Sequence, residues 1–285
     1  MRELSTRHGG HVPSAVMMGS GPGSTAATAR NGVAMSGYRS ATVAPGVVFV
    51  QGPSVNWIIL DGAAGPVLID TGYPGDEAAV RASLRDAGHA VRELAAILIT
   101  HGHGDHMGNA AAFAAEASCP VFTSAEEIPN VRREICEQVE IRDVLPHAFR
   151  PGVFRWALHA LRAGGKKAAP VLDARPLPDD LADAVGVDIQ PVPLPGHTRG
   201  HTGILLPRAG VLITGDALVS GHPTSPLAGP QLLARMFHAI PEDAIDALST
   251  VEALDARVTL PGHGPALSER PALLADQARA TALPF

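Results

Sequence analysis

Six consecutive residues, His101-Gly102-His103-Gly104-Asp105-His106, carry three imidazoles and a carboxylate, and they come just after the apolar run Ala95-Ala96-Ile97-Leu98-Ile99. A short apolar run that stops at glycine-rich polar sequence reads as a buried strand opening into a loop. Imidazole and carboxylate groups crowded at such a point are the nitrogen and oxygen donors that zinc and related divalent ions take. The plain alternative is a polar loop that happens to be rich in histidine, and it gives no reason for this spacing. A metal site constrains the chain further, because the fold must then bring additional ligands to this loop.

Three later segments have the matching form. Ile189-Gln190-Pro191-Val192-Pro193 leads into Leu194-Pro195-Gly196-His197-Thr198. Val211-Leu212-Ile213-Thr214-Gly215 ends on Asp216, and Val258-Thr259-Leu260-Pro261-Gly262 ends on His263. Each is a buried-strand signal that breaks at glycine and then presents one side chain able to bind metal. Ligands at strand ends are held by a rigid sheet yet reach an open cleft, as a catalytic site requires. The set His101, His103, Asp105, His106, His197, Asp216 and His263 contains no thiolate, which suits zinc and is compatible with iron, manganese or cobalt. His8 and His11 lie in a polar, glycine-containing stretch and are left out of the set.

Together with Leu68-Ile69-Asp70-Thr71-Gly72, these segments resemble the motifs of the metallo-β-lactamase superfamily, in its dinuclear hydrolase form, and they stand in that family's order across about residues 45–265. The resemblance implies a four-layered αββα sandwich, an α/β (α+β) architecture; periodicity by itself supports only α/β. It implies that His101, His103 and His197 hold one divalent ion, that Asp105, His106 and His263 hold a second, and that Asp216 bridges them. It further implies a hydroxide generated between the ions that cleaves an ester, lactone or thioester of a small molecule, with Asp105 orienting it and carrying its proton. Asp70 is placed behind the ligands, fixing their loop; a turn-forming aspartate is the plainer role.

Within the family, glyoxalase II-like thioesterases and lactonase-like enzymes both fit the ligand set. Only 22 residues follow His263, too few for the helical extension that binds glutathione in the former. A mononuclear iron dioxygenase of the persulfide dioxygenase kind, using His101, His197 and Asp216 alone, is the rival from another class, and a phosphodiesterase or nuclease-type relative is a further one. A net charge of −6 with 4% aromatic residues argues against a nucleic-acid partner. Cys119 and Cys136 lack metal-binding spacing and are too few for a disulfide framework, so a cytoplasmic setting is expected. No apolar stretch has membrane-spanning length, and no apolar leader segment opens the chain.

Residues 1–41, rich in Gly, Ser, Ala and Thr, are expected to form a disordered tail, and 42–285 the hydrolase domain. Strands are predicted at 47–50, 55–60 and 66–69, and helices at 75–87 and about 108–117. His106 and His197 are separated by a surplus of chain near 125–180, read as a helical insert with helices over 126–138 and 153–162. In the second helix, Val153, Phe154, Ala157, Leu158 and Leu161 share a face. Arg150, Arg155, Arg162, Lys166 and Lys167 make this the most basic stretch, which would favour an anionic substrate. The insert reads as plain scaffold, as a lid over the site, or as a contact between two copies of the chain. His222, in the Gly/Pro-broken run 217–238, reads as an exposed loop residue, with substrate contact as the alternative.

Overall fold

Side chains of the strand Asn56–Gly62 divide strictly between two cores, and this division organises the molecule. The computed structural model describes residues 37–281. The first half opens with β1 (Arg39–Ala44), β2 (Val47–Gln51), β3 (Asn56–Gly62) and β4 (Gly65–Ile69), an antiparallel meander. Gly62 pairs with Gly65 across a two-residue turn, and Gly65 takes φ 134°, a conformation that glycine alone enters readily. Helix α1 (Glu77–Asp86) follows, then β5 (Ala96–Leu98), α2 (Ala110–Ala117) and β6 (Val121–Thr123). The insert contributes α3 (Ile128–Val131), α4 (Ile141–Val144) and α5 (Pro151–Arg162), and β7 (Arg175–Pro176) closes the first sheet in the order β1-β2-β3-β4-β5-β6-β7. Strands β4 to β7 pair in parallel.

The second half holds α6 (Leu181–Val185), β8 (Gln190–Pro193), β9 (Thr202–Leu206), β10 (Val211–Gly215), α7 (Pro241–Glu252), β11 (Val258–Pro261) and α8 (Pro271–Ala280). Its sheet runs β11-β10-β9-β8, with only β10 and β11 parallel. Successive strand residues face opposite sides, so Ile58 and Leu60 of β3 join Ile204, Ile213 and Leu260 between the two sheets. Trp57 and Ile59 turn the other way and pack with Val80, Leu84 and Phe113 beneath α1 and α2. On the far side, Leu205 and Leu212 meet Leu248, Val251 and Leu274 of α7 and α8. Helix, sheet, sheet and helix thus form four layers, the expected sandwich.

Several expectations shift in detail. Strand β1 begins at Arg39, whose partner is Gln51, so ordered structure reaches into the last three residues of the expected 1–41 tail; residues 1–36 lie outside those described. No continuous helix spans 126–138: a short turn at Ala125–Glu127 leads into the four-residue α3, and Arg133 adopts φ 60°. That left-handed conformation cannot continue a right-handed helix. It accompanies a hydrogen bond from the Arg133 guanidinium to the Gly102 carbonyl oxygen (2.7 Å). Helix α5 forms as predicted, but its buried face centres on Val153 and Trp156, while Phe154 and Leu161 are 57% and 58% exposed. Trp156 sets the helix rotation by packing edge-on against Phe237 at 5.1 Å. Cys119 is half-buried against the α2 side, where burial pushes its thiol up to about 11, and Cys136 is an exposed free thiol. Among the described residues, no helix is long and apolar enough to cross a membrane.

Phe113 is fully buried where α2 rests on the first sheet. Phe113→Ala should therefore cost about 3–5 kcal/mol. Chemical denaturation should show this as a lower midpoint, and an unchanged midpoint would contradict the packing described.

Candidate metal centre

Strands of both sheets end at one edge of the sandwich and deliver their terminal loops to one point. The loop after β5 carries His101, His103, Asp105 and His106; the loops after β8, β10 and β11 carry His197, Asp216 and His263. All seven predicted residues meet. One triad, His101, His103 and His197, and another, Asp105, His106 and His263, each place their donor atoms within 4.8 Å of one another. Asp216 faces both: its Oδ2 lies 3.5 Å from His197 Nε2 and 3.1 Å from His263 Nε2, and its Oδ1 lies 3.4 Å from His106 Nε2. Gly262 permits this approach, since a Cβ there would stand 2.2 Å from Asp216 Oδ1.

The outward nitrogen of several rings is tied down, which leaves the inward one free. His263 Nδ1 donates to the Ser54 carbonyl (2.6 Å), and His103 Nε2 donates to the Glu137 carbonyl (2.6 Å). His106 Nδ1 bonds Asp70 Oδ2 at 2.8 Å. His101 Nδ1 meets Thr100 Oγ1 at 3.0 Å, and that hydroxyl in turn donates to Asp70 at 2.8 Å. Such bonds fix tautomer and ring orientation. Asp70 also accepts the Thr100 N–H, and it holds this position with φ 58°, a left-handed conformation that aspartate tolerates better than most residues. It sits behind the ligands, as expected.

What remains in the middle is a set of buried donors without partners: His101 Nε2, His106 Nε2 and Asp216 Oδ1 make no hydrogen bond within the protein. Buried polar atoms left this way are costly, and a cation among them removes the cost. The donor set therefore fits divalent metal. Burial, reinforced by neighbouring imidazoles, holds His101 and His197 well below the ordinary histidine range, and burial brings His103 to about 4, so all three are neutral and their lone pairs available. For His106 and His263 burial acts in the same sense, but the nearby carboxylates, Asp216 foremost, outweigh it and raise both. Protons and a cation compete for those two nitrogens. Asp216 is the counterpart: burial alone would raise it, yet His263 and His106 hold it well below its usual range.

Other residues complete the centre, and of these Glu127, Asn56 and His201 drew no notice in the sequence. Glu127 is fully buried; its Oε1 accepts from Gly102 N and Asn130 Nδ2, both at 2.7 Å, and its Oε2 from Thr198 Oγ1 (2.7 Å) and Gly200 N (3.1 Å). One carboxylate thus clasps the loops of His103 and His197. Asn56 clasps the His263 loop through the Pro261 and Gly264 carbonyls, both at 2.8 Å. His201 accepts the Asp216 N–H at Nε2 (3.0 Å), and burial takes it to about 3. Its only sequence signal is its place four residues after His197. His222 is buried, contrary to the exposed position expected, with its ring 4.9 Å from that of His263; the 217–238 run folds back over the site and packs Phe237 at 5.3 Å against it. Arg155 and Arg162 are exposed and do not line the cavity over the centre, where Lys166 is the one basic side chain other than histidine among the described residues.

The sequence profile of the Metallo-beta-lactamase superfamily matches residues 50–263, and the chain belongs to that superfamily. It is 30% identical over 182 residues to a hydroxyacylglutathione hydrolase of Alkalilimnicola ehrlichii, covering 64% of this chain and 50% of that protein. It is also 24% identical over 208 residues to a probable metallo-hydrolase of Bacillus subtilis, covering 70% and 75% respectively. The chain spans about half the length of the first of these. Among solved structures, a metallo-beta-lactamase family protein from Thermus thermophilus superposes with a TM-score of 0.61 at 24% identity, covering 84% of this chain and 80% of that one. A second solved protein, in a di-iron-bound form, gives 0.55 at 23%, covering 81% and 98%.

Asp216→Ala removes the one carboxylate that faces both triads. Elemental analysis should then find metal lost from at least one site, and hydrolysis should fall by about 100-fold or more, at or beyond the upper end of what outer-sphere changes cost. Full metal content with unchanged turnover would contradict the bridging position.

Proposed function

We propose that this metallohydrolase opens an ester, lactone or thioester of a small molecule, using two divalent ions, most simply zinc. The carrying observation is the pair of three-donor groups joined by Asp216 and open on one side to a cavity. A pair of divalent ions, when bound, acts as a Lewis acid on a carbonyl oxygen and brings the pKa of water toward neutrality. The complete second group, Asp105, His106 and His263, supports this reading over a mononuclear iron oxygenase, which would need only His101, His197 and Asp216. The similarity to a hydroxyacylglutathione hydrolase supports a carboxyl-type bond as the target.

The chain's own residues divide the remaining work. Asp105 differs from the rest of the set in keeping 13% side-chain exposure, and it lines the cavity. On this reading its carboxylate orients an attacking water and takes its proton. Asp70, Thr100 and Glu127 hold the loops rigid, so the imidazoles need not reorganise during reaction. Asp105→Asn keeps the shape but removes the base and, with it, the charged donor of the second group, so metal content is measured alongside the kinetics.

Steady-state kinetics on metal-loaded protein should show kcat lowered about 10²–10⁴-fold with KM little changed. The substrate class is tested with a panel of lactones, thioesters, phosphodiesters and β-lactams. Turnover of carboxyl-type bonds is expected; one iron per chain with oxidation of a persulfide, or turnover of phosphodiesters alone, would overturn the assignment.

A further inference from the structure

We propose that the substrate carries an apolar leg, an alkyl or acyl chain of about four to eight carbons, which lies beneath α5 while its scissile carboxyl group sits on the metal floor. This rests on the hydrolase reading above and specifies its substrate. The cavity over the centre has a volume of about 230 Å³ and two unlike ends. Its floor is His103, Asp105, His197, Asp216, His222 and His263. Its walls come from the insert and the segment beneath it: Val144 and Leu145 at α4, Trp156, Ala157 and Ala160 on α5, and Phe237 opposite.

Trp156 and Phe237 belong to one buried apolar cluster, with Val144, Ala157 and Ala160 packed against it. The wall is therefore built on the fold and is not a chance gap between loops. Ala157 and Ala160 are small where the helix passes the cavity, and larger side chains would fill the space. Away from the floor, the polar side chains that line the cavity are Tyr73, Gln138, Glu140 and Lys166, and none of them belongs to α5. At the mouth, Ile141, Leu145 and Leu161 are 61%, 69% and 58% exposed, an arrangement that costs free energy in water unless something apolar passes over it.

Charge and size narrow the ligand. A polar or multiply charged leg would be desolvated against an α5 wall whose one side-chain donor to the cavity is the unpaired Trp156 indole N–H, whereas a hydrocarbon gains from the same burial. At about 30 Å³ for each water-sized group, the cavity takes on the order of eight such groups, the carboxyl included. A longer chain continues out through the apolar mouth and gains little more.

Two measurements on metal-loaded protein test this separately. The first is binding of straight-chain carboxylates from acetate to decanoate, the reaction's product type, followed by tryptophan fluorescence. Of the two tryptophans, Trp156 lines the cavity and Trp57 is buried under α1. Affinity should rise about fourfold per methylene and level off near eight carbons, and Trp156→Phe should abolish the signal. The second is kcat/KM for p-nitrophenyl esters of the same acids, which should climb in parallel.

Ala160→Phe should move the levelling-off point of both series to chains shorter by about two carbons or more; if that variant fails to fold, Ala157→Val should act in the same direction. Hydrolysis independent of chain length would overturn the apolar leg and leave the hydrolase reading standing. Chain-length-dependent binding with no ester, lactone or thioester turned over would do the reverse. Carboxylate binding that is flat along the series overturns the leg whatever the kinetics show.

Discussion

Five imidazoles and two carboxylates point their lone pairs at one another in a region almost closed to water, and the rest of the fold exists around that electrostatic problem. Without a cation, His106, His263 and Asp216 form a buried, proton-sharing cluster, while His101, His103 and His197 stay neutral because burial forbids them charge. Such a cluster is poorly satisfied, with buried nitrogens and a carboxylate oxygen left unpaired. Divalent metal would resolve it, and the protein would then have only to keep these side chains from collapsing or turning away.

It does so with a scaffold of hydrogen bonds anchored in the two sheets. Asp70 at the end of β4 holds the Thr100–His106 loop from behind, and Asn56 at the start of β3 holds the His263 loop from the other sheet. Glu127 joins the loops after β5 and β8 through three hydrogen bonds to a single carboxylate, and Asn130 of α3 supplies a fourth. Burial raises the Glu127 pKa and its four donors oppose the rise, so the group is stable only while those donors stay in place. The insert is a separate addition: α4 and α5 contribute no predicted ligand, yet they build the apolar side of the cavity.

The seven residues that meet at the centre were legible because each follows a strand signal ended by glycine or sits in the compact 101–106 run, features confined to a few adjacent residues. The four-layered sandwich was legible only through the family resemblance that these motifs carry; periodicity by itself reached no further than α/β. What escaped depends on distant pairing. Glu127 gains its role from Gly102, 25 residues before it, and Gly200, 73 residues after it, and no local pattern records that. The helix expected over 126–138 breaks at Arg133, whose left-handed backbone accompanies its bond to Gly102. In α5 the spacing of apolar residues pointed to Phe154 and Leu161, whereas the contact between Trp156 and Phe237 decided the rotation. The basic residues Arg155 and Arg162 turn outward for that reason, and the cavity they were expected to charge is mostly apolar.

Anomalous X-ray diffraction from crystals of the metal-loaded protein tests the central claim most directly. Two peaks are expected roughly 3.5–4 Å apart, one among His101, His103 and His197, the other among Asp105, His106 and His263, with Asp216 touching both. A single peak held by His101, His197 and Asp216 alone, with Asp105 and His263 turned away, would contradict it.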